Sequence, residues 1–222
     1  MIQGVKGKKY LINGGLGMIG STIAKILVEA EAEVTIVDAM IKPFGANLFN
    51  IEKIKNQVKT CFFDIKNTED MKKEIKDKDV IFNLAGQVAH NDSIVNPLYD
   101  AKMNYLYQLN IMECIRQVNP NAKTIFSGSR LQFGKIKNSP VDESHASCPE
   151  TPYALHKQTT ENMYQFYNRQ YNTDTVVFRI ANPYGPRGQI KHSKYTIINF
   201  FIRQALEGKT ISIFGEGSQS VS

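Results

Sequence analysis

The chain has 222 residues, of which 42% are hydrophobic and 22% are charged, and its formal net charge is +6 at pH 7. This composition is typical of a globular protein with one substantial core, and no apolar run approaches the ~20 residues that span a bilayer. Residues 1–9 contain scattered lysines and no apolar stretch of the signal-peptide type. We therefore expect a cytoplasmic protein with no membrane partner.

Three cysteines and four histidines are scattered along the chain. They form no CxxC pair and lack metal-ligand spacing, so we expect neither a disulfide framework nor a metal site. The lysines are equally dispersed, and no basic block is interleaved with aromatic residues. This pattern favours a solvated surface with local positive spots for phosphorylated small molecules over a nucleic-acid interface. The cysteines and histidines are Cys61, Cys114, Cys148, His90, His145, His156 and His192.

Short apolar or β-branched segments alternate along the chain with segments of helical periodicity. The predicted strands are residues 8–12, 34–37, 58–63, 80–84, 123–127, 175–180 and 210–214. The predicted helices are residues 18–29, 68–76 with Thr68 as N-cap, 100–118, 153–171 and 197–206. Residues 42–55 indicate a loop with at most one helical turn. This alternation predicts an α/β fold, a Rossmann-like doubly wound parallel sheet that binds ligands at the carboxyl ends of its strands.

A glycine-rich turn lies between the first predicted strand and the first predicted helix. Gly14, Gly17 and Gly20 have the spacing that permits a tight turn, close approach of a pyrophosphate and packing of helix on strand. The helix begins at Met18 and Ile19, and its amino end suits phosphate groups. The pattern alone is as common in purely structural turns, but here it stands between a strand and a helix. It indicates a dinucleotide site.

Two acidic residues follow the next two strands. Asp38 comes at the usual distance after the glycines for a carboxylate that binds ribose hydroxyls, and no Arg follows it to accept a 2′-phosphate. This combination favours NAD over NADP. Asp64 and Ile65 would reach the adenine, although a loop or cap carboxylate explains Asp64 equally well.

Tyr153 and Lys157 are four residues apart on a predicted helix and therefore share one face. A Lys ammonium beside a phenol stabilises the phenolate, so the pair predicts a lowered pKa for Tyr153 and a role in taking a proton from an alcohol. Helices more often carry such a pair as a half-buried Tyr beside a solvated Lys. The other motifs of the chain favour the catalytic interpretation of Tyr153 and Lys157.

The motifs together resemble the extended short-chain dehydrogenase/reductase family of NAD-dependent nucleotide-sugar epimerases and dehydratases. The matching segments are residues 14–21, 38, 64–65, 83–87, 104, 126–134, 153–157 and 179–187. The resemblance implies that Tyr153 is the acid/base, that Ser129 hydrogen-bonds the reacting sugar oxygen, and that Lys157 binds the nicotinamide ribose. The implied cofactor-binding residues are Gly14, Gly17, Met18, Ile19, Asp38, Asp64, Ile65, Leu84, Ala85, Gly86, Asn104, Ser127, Tyr153 and Lys157. The implied substrate-binding residues are Gln87, Ser129, Asn182 and Arg187.

The chain departs from the family pattern at three places. Arg130-Leu131 stands where dehydratases carry Asp-Glu, so dehydration is not expected. Gln132-Phe133-Gly134 replaces the usual Val-Tyr-Gly, which changes contacts near the sugar. Tyr107-Gln108 replaces Gly-Thr on a helix that the resemblance implies to be part of a homodimer interface, formed by helices 100–118 and 153–171.

The resemblance implies two regions and one favoured activity. Residues 1–190 are expected to form an NAD-binding domain that carries Ser129, Tyr153 and Lys157, and residues 191–222 to begin a sugar-nucleotide-binding region that is incomplete here. We expect a UDP-glucose 4-epimerase-like enzyme that transiently oxidises a sugar hydroxyl to a ketone. The alternatives are a nucleotide-sugar dehydrogenase or reductase with net redox, and a non-catalytic NAD-binding sensor or scaffold.

Overall fold

The computed structural model describes residues 4–194, 197–213 and 215–217. Six strands pair in parallel in the order β3-β2-β1-β4-β5-β6. They are β1 (Lys9–Asn13), β2 (Glu33–Val37), β3 (Val58–Cys61), β4 (Val80–Asn83), β5 (Lys123–Ser129) and β6 (Thr175–Ile180). The order reverses between β1 and β4, which is where a doubly wound sheet opens a crevice for ligands. The predicted α/β fold class is confirmed.

Seven α-helices connect or follow the strands in the described part of the chain. They are α1 (Met18–Glu29), α2 (Thr68–Ile75), α3 (His90–Val95), α4 (Pro97–Ala101), α5 (Tyr107–Val118), α6 (Pro152–Tyr171) and α7 (Ile197–Leu206). Short 3-10 turns occupy Leu48–Ile51 and Arg130–Phe133, and a π-helical turn occupies Lys102–Leu106. No helix among the described residues is long and apolar enough to cross a bilayer.

The core consists of two apolar clusters, and alternate residues of β1 enter different ones. Leu11 packs into a cluster with residues of α2, α5 and α6, whereas Tyr10 and Ile12 pack into a cluster with α1. Successive strand residues point to opposite faces of a sheet, so the two clusters lie on its two sides. The central strands are therefore covered on both faces, and only their ends are left for a ligand.

The predicted helix 100–118 is interrupted by the π-helical turn, which sequence periodicity did not indicate. Two side chains donate hydrogen bonds to carbonyl groups of this turn: Gln108 Nε2 to that of Met103 at 2.8 Å, and Thr160 Oγ1 to that of Asn104. Gln108 is fully buried, and its Nε2 also donates to the Ala85 carbonyl at 3.0 Å. The departure from the family pattern at this position thus supports the loop that follows β4.

Two further predictions differ from the structure. The N-cap of α2 is Asn67, whose side chain accepts from the Asp70 backbone nitrogen at 3.4 Å, while the Thr68 hydroxyl donates to Asn110 Oδ1 at 2.8 Å. The predicted strand 210–214 is wrong for residues 210–213, which pair with no strand in the described part of the chain. Its last residue, Phe214, lies outside the described residues.

Candidate active site

A cavity of about 890 Å³ opens at the carboxyl ends of the strands. It runs from the turn after β1 to the amino end of α6, and it brings together most of the predicted site residues. Those in its wall are Gly14, Gly17, Met18, Ile19, Asp38, Asp64, Ile65, Leu84, Ala85, Gly86, Ser127, Ser129, Tyr153, Lys157 and Asn182. The predicted residues outside its wall are Gln87, Asn104 and Arg187.

The turn after β1 brings bare backbone to the cavity. Gly14 has φ +77°, and a Cβ there would lie 2.9 Å from the Ala85 backbone nitrogen, so this turn requires glycine. Gly17 is different, because a Cβ there would meet only the Gly14 carbonyl oxygen, at 3.4 Å. Gly17 is the N-cap of α1, and no side chain in the described part of the chain caps that helix. The first amides of α1 are therefore open to an anion in the cavity.

Asp38 follows β2 and faces the same end of the cavity. Its two carboxylate oxygens accept from the Leu16 and Met40 backbone nitrogens at 3.1 and 2.9 Å. Burial raises the pKa of Asp38, and these two hydrogen bonds oppose that effect. Each oxygen keeps a free lone pair, so the carboxylate can still accept from vicinal hydroxyl groups. Asp64 lies beyond β3, where one oxygen accepts from the Lys66 backbone nitrogen at 3.0 Å.

Helix α6 presents Tyr153 and Lys157 at the other end of the cavity. The helix begins at Pro152, and the Thr151 side chain caps it by accepting from the Ala154 backbone nitrogen at 3.2 Å. The Tyr153 backbone nitrogen donates to Ser93 Oγ at 3.0 Å. Tyr153 and Lys157 are both buried, which differs from the exposed Lys that is usual on helices.

The Lys157 ammonium contacts the end of β5 and two aromatic rings. Its Nζ donates to the Ser127 carbonyl at 2.9 Å and lies 4.8 Å from the Phe126 ring centroid and 5.9 Å from that of Tyr153. Burial lowers the pKa of Lys157 to about 8, against the opposing effect of the Asp100 carboxylate. Lys157 is therefore a cation at neutral pH and is close to its titration range.

Tyr153 has a raised pKa in this structure, which differs from the lowered value that the sequence predicted. Burial raises the pKa of Tyr153 to about 12, a hydrogen bond with Ser129 lowers it, and the Asp100 charge raises it. The physical reason is that the phenol is desolvated, which disfavours its anion. A cationic group in the cavity would act in the opposite direction.

The predicted residues outside the cavity wall support the loops around it. Asn104 is buried and donates from Nδ2 to the Gln87 carbonyl at 3.0 Å, and its Oδ1 would lie 2.6 Å from a Cβ placed on Gly86. Gln87 donates from Nε2 to the Ala89 carbonyl at 2.7 Å. Arg187 donates from Nη2 to Thr22 Oγ1 at 2.9 Å. Direct binding of a ligand by these three side chains stays a prediction.

Two smaller contacts complete the predicted set. Ser127 Oγ donates to the Asn83 carbonyl at 3.5 Å, which ties the ends of β5 and β4 together. Asn182 is exposed, and its Oδ1 accepts from Arg130 Nε at 3.3 Å. Both residues line the cavity.

Among the basic and imidazole side chains of the cavity wall, three were assigned no role from the sequence. These are His90, Arg130 and Lys194. Arg130 directly follows Ser129, which is a signal that could have found it. Lys194 carries no such signal, because it reaches the site through an ion pair with Asp92, which is 102 residues away and 2.9 Å distant.

The model of the NAD dependent epimerase/dehydratase family matches residues 10–222. The chain belongs to this family. The assignment made from the ordered motifs is thereby confirmed at the level of the family, whose members include both epimerases and dehydratases.

Similar proteins of this family include nucleotide-sugar epimerases, and also UDP-glucuronic acid decarboxylases such as that of Xenopus tropicalis, which is 26% identical over 96% of this chain and 49% of that protein. The chain is 32% identical to a Methanocaldococcus jannaschii protein provisionally named UDP-glucose 4-epimerase, over 95% of this chain and 67% of that protein. It is 30% identical, with a TM-score of 0.87, to a UDP-N-acetylglucosamine 4-epimerase from Methanobrevibacter ruminantium M1 in complex with UDP-N-acetylmuramic acid, over 96% of this chain and 67% of that one. It is 28% identical, with a TM-score of 0.86, to the Thermotoga maritima UDP-glucose 4-epimerase with UDP-glucose. This match covers 94% of this chain and 66% of that one. The chain thus spans about two thirds of the length of these last three relatives.

The cavity fits the cofactor that gives the family its name. The bare backbone at Gly17 and the uncapped amides of α1 suit a pyrophosphate, and the free lone pairs of Asp38 suit a ribose. The carboxylate of Asp38 also disfavours a second negative charge beside it. These observations match NAD better than a cofactor with a 2′-phosphate.

Proposed function

We propose that the protein is an NAD-dependent nucleotide-sugar epimerase, similar in action to a UDP-glucose 4-epimerase. One observation carries this proposal: a single cavity is lined at one end by Gly17 and Asp38 and at the other by Ser129, Tyr153 and Lys157. The first group suits a dinucleotide, and the second suits the removal of a proton from an alcohol. A cavity of about 890 Å³ is ample for ligands of this class.

The residues proposed to hold NAD are distributed along the cavity. Met18 and Ile19 would offer backbone amides to the pyrophosphate, Asp38 would accept from the adenosine ribose, and Asp64 with Ile65 would meet the adenine. Lys157 would bind the nicotinamide ribose beside Ser127 and the backbone of residues 84–86. When bound, NAD⁺ supplies the acceptor for the hydride that leaves the sugar carbon and later returns to its opposite face.

The chain's own residues would carry the proton transfer. We assign Tyr153 Oη as the group that takes the proton of the sugar hydroxyl and later returns it. The Ser129 hydroxyl would hydrogen-bond the same sugar oxygen, and the Lys157 cation would stabilise the Tyr153 anion by charge attraction. This attraction would be stronger than in water, because Tyr153 and Lys157 are both buried and little solvent screens their charges.

On the sugar side, Asn182 lines the cavity and is the first candidate to contact the nucleotide diphosphate. Arg187 would add phosphate binding if its guanidinium left Thr22, and Gln87 would contact the sugar only if its amide turned from Ala89. Arg130-Leu131, in place of Asp-Glu, supports epimerisation over dehydration, because no acid/base pair follows Ser129. We propose that residues 1–190 form the cofactor domain and that residues 191–222 belong to the sugar-nucleotide-binding region.

We also propose that two copies associate through helices α5 and α6 and the π-helical turn before α5. Exposed apolar side chains support this interface, since Leu106 is 49% exposed, Leu155 50% and Phe166 46%. Light scattering on the purified protein tests it: a dimer is expected, and a monomer that persists at high protein concentration would contradict it.

A panel of nucleotide sugars, incubated with the protein and NAD⁺, tests the proposed activity. Proton NMR should show an epimer of one UDP-sugar and no accumulation of reduced cofactor. Stoichiometric formation of NADH would instead indicate a dehydrogenase. Tight NAD binding with no turnover of any nucleotide sugar, in wild type and Tyr153→Phe alike, would indicate a non-catalytic sensor or scaffold.

A further inference from the structure

A chain of buried polar side chains connects Ser129 to β6 and α6. Ser129 ends β5 and begins the 3-10 turn Arg130–Phe133, and its Oγ accepts from the Leu131 backbone nitrogen at 3.2 Å. Its backbone nitrogen donates to Oε1 of Gln132 at 2.9 Å. Gln132 is fully buried. The two residues thus form a reciprocal capping box directly at the proposed acid/base centre.

The other end of the Gln132 amide meets a fixed carboxylate. Gln132 Nε2 donates to Glu161 Oε2 at 2.7 Å. Arg179 donates to both oxygens of Glu161, at 3.1 and 2.8 Å, and its guanidinium lies 4.8 Å from the Phe133 ring centroid. A bidentate ion pair that is largely shielded from solvent has little freedom. Glu161 is therefore an anchor for Gln132.

This arrangement fixes which way the Gln132 amide faces. An ionised carboxylate only accepts hydrogen bonds, so the amide nitrogen must face Glu161 and the amide oxygen must face the Ser129 N–H. An apolar side chain at 132 would take away the hydrogen-bond partner of the Ser129 N–H. It would also leave Glu161 Oε2 with only its hydrogen bond from Arg179 Nε. The Ser129 hydroxyl, already accepting from Leu131, then has its proton free for a partner in the cavity.

We propose that Gln132 is a positioning residue for the reaction, holding the Ser129 hydroxyl in place for Tyr153 and the sugar oxygen. The inference rests on the proposed function, and it adds a residue at which the chain departs from the family pattern. A purely structural amide would affect only the stability of the protein. A positioning amide also affects the turnover of the folded enzyme and its pH dependence.

The kinetic test compares Gln132→Leu with Gln165→Leu. Gln165 is exposed and donates to the same Glu161, at 3.3 Å from Oε1, so it is a matched control that does not reach Ser129. For Q132L we expect kcat to fall about 10- to 100-fold with KM changed less than about 2-fold. The rising limb of the pH profile should move to higher pH, because the hydrogen bond with Ser129 lowers the pKa of Tyr153. Q165L should match the wild type.

A crystal structure of each variant tests the proposal independently of turnover. In Q132L the Ser129 Oγ should lose its contact with Leu131 N or with Tyr153 Oη, and in Q165L both should remain. If Q132L does not fold, Gln132→Met keeps nearly the same volume and carries the same expectation. An unmoved Ser129 and an unchanged kcat would overturn the proposal. Absence of turnover in the wild type would instead overturn the proposed function. The crystal structures of Q132L and Q165L would then decide alone whether Gln132 positions the Ser129 hydroxyl.

Discussion

Lys157 donates a hydrogen bond from Nζ to the backbone carbonyl of Ser127, 2.9 Å away at the end of β5. This bond holds the Lys157 ammonium inside the protein, where the residue is 3% exposed, at the point where the sheet meets the helix of Tyr153. A buried cation is costly for folding, and the role in the reaction that we propose for Lys157 would account for this cost.

Replacing Lys157 with Met should stabilise the protein and abolish activity. The pKa difference between 10.5 and about 8 corresponds to about 3 kcal/mol, from which the lost hydrogen bond to Ser127 removes about 1 kcal/mol. Below pH 8 the Lys is charged in both folded and unfolded protein, so the full gain of about 2 kcal/mol is expected at pH 7. The gain should shrink as the pH rises from 8 to 10.5. Urea unfolding measures it, and a less stable K157M at pH 7 would contradict it, with the exposed Lys53→Met as control.

Gly17→Ala should weaken NAD binding about 10-fold, because the added Cβ would lie in the cavity wall where we place the pyrophosphate. It should leave the free energy of unfolding nearly unchanged, because this Cβ meets only the Gly14 carbonyl oxygen, at 3.4 Å. Gly20→Ala is the matched control, since its Cβ would lie 2.5 Å from the same oxygen and should destabilise the protein. Calorimetric titration with NAD and thermal unfolding separate the two effects. Equal NAD affinity in G17A and wild type would contradict the placement of the pyrophosphate.

Asp38→Asn should reduce the preference for NAD over NADP. The Asn keeps one acceptor oxygen but loses the charge, so NAD affinity should fall about 10-fold while NADP affinity rises or is unchanged. The dissociation constants of both cofactors provide the measurement. Asp142→Asn, an exposed carboxylate, is the control, and an unchanged ratio in D38N would argue against Asp38 as the ribose ligand.

The fully buried Asp100 accepts a hydrogen bond from Asn104 Nδ2 at 3.0 Å and pairs with His156 Nδ1 at 2.7 Å. His156→Leu should lower the free energy of unfolding by about 3 kcal/mol, because it leaves a buried carboxylate short of a partner. Adding Asp100→Asn to H156L should recover part of this loss, since the amide carries no charge. Chemical unfolding of wild type, H156L, D100N and the double variant completes the cycle. Equal stability of H156L and wild type would contradict it.

The local motifs were predictable from the sequence because their physical causes are local. The turn after β1 is recognisable because Gly14 must adopt a positive φ next to Ala85, and the start of α6 because Pro152 and Thr151 suit a helix amino end. These motifs occur along the chain in the same order as in the family, which is why the family could be predicted. The Ser129–Gln132 capping box also has a sequence signature, S-x-x-Q.

The rest depends on contacts between distant segments. The π-helical turn accepts hydrogen bonds from Gln108 and Thr160, the second of which lies on another helix. The raised pKa of Tyr153 depends on burial, which no i,i+4 spacing reveals. The apolar residues after Gly208 have strand-like composition, yet residues 210–213 have no partner strand among the described residues.

The central claim is that Tyr153 is the acid/base of a nucleotide-sugar epimerisation. The most direct measurement is proton NMR of UDP-glucose incubated with NAD⁺ and either wild type or Tyr153→Phe, with NAD affinity measured on both proteins. The account predicts that wild type forms the C4 epimer without accumulating reduced cofactor, and that Y153F binds NAD equally but turns over about 100-fold more slowly or worse. Epimerisation by Y153F at the wild-type rate would contradict the account.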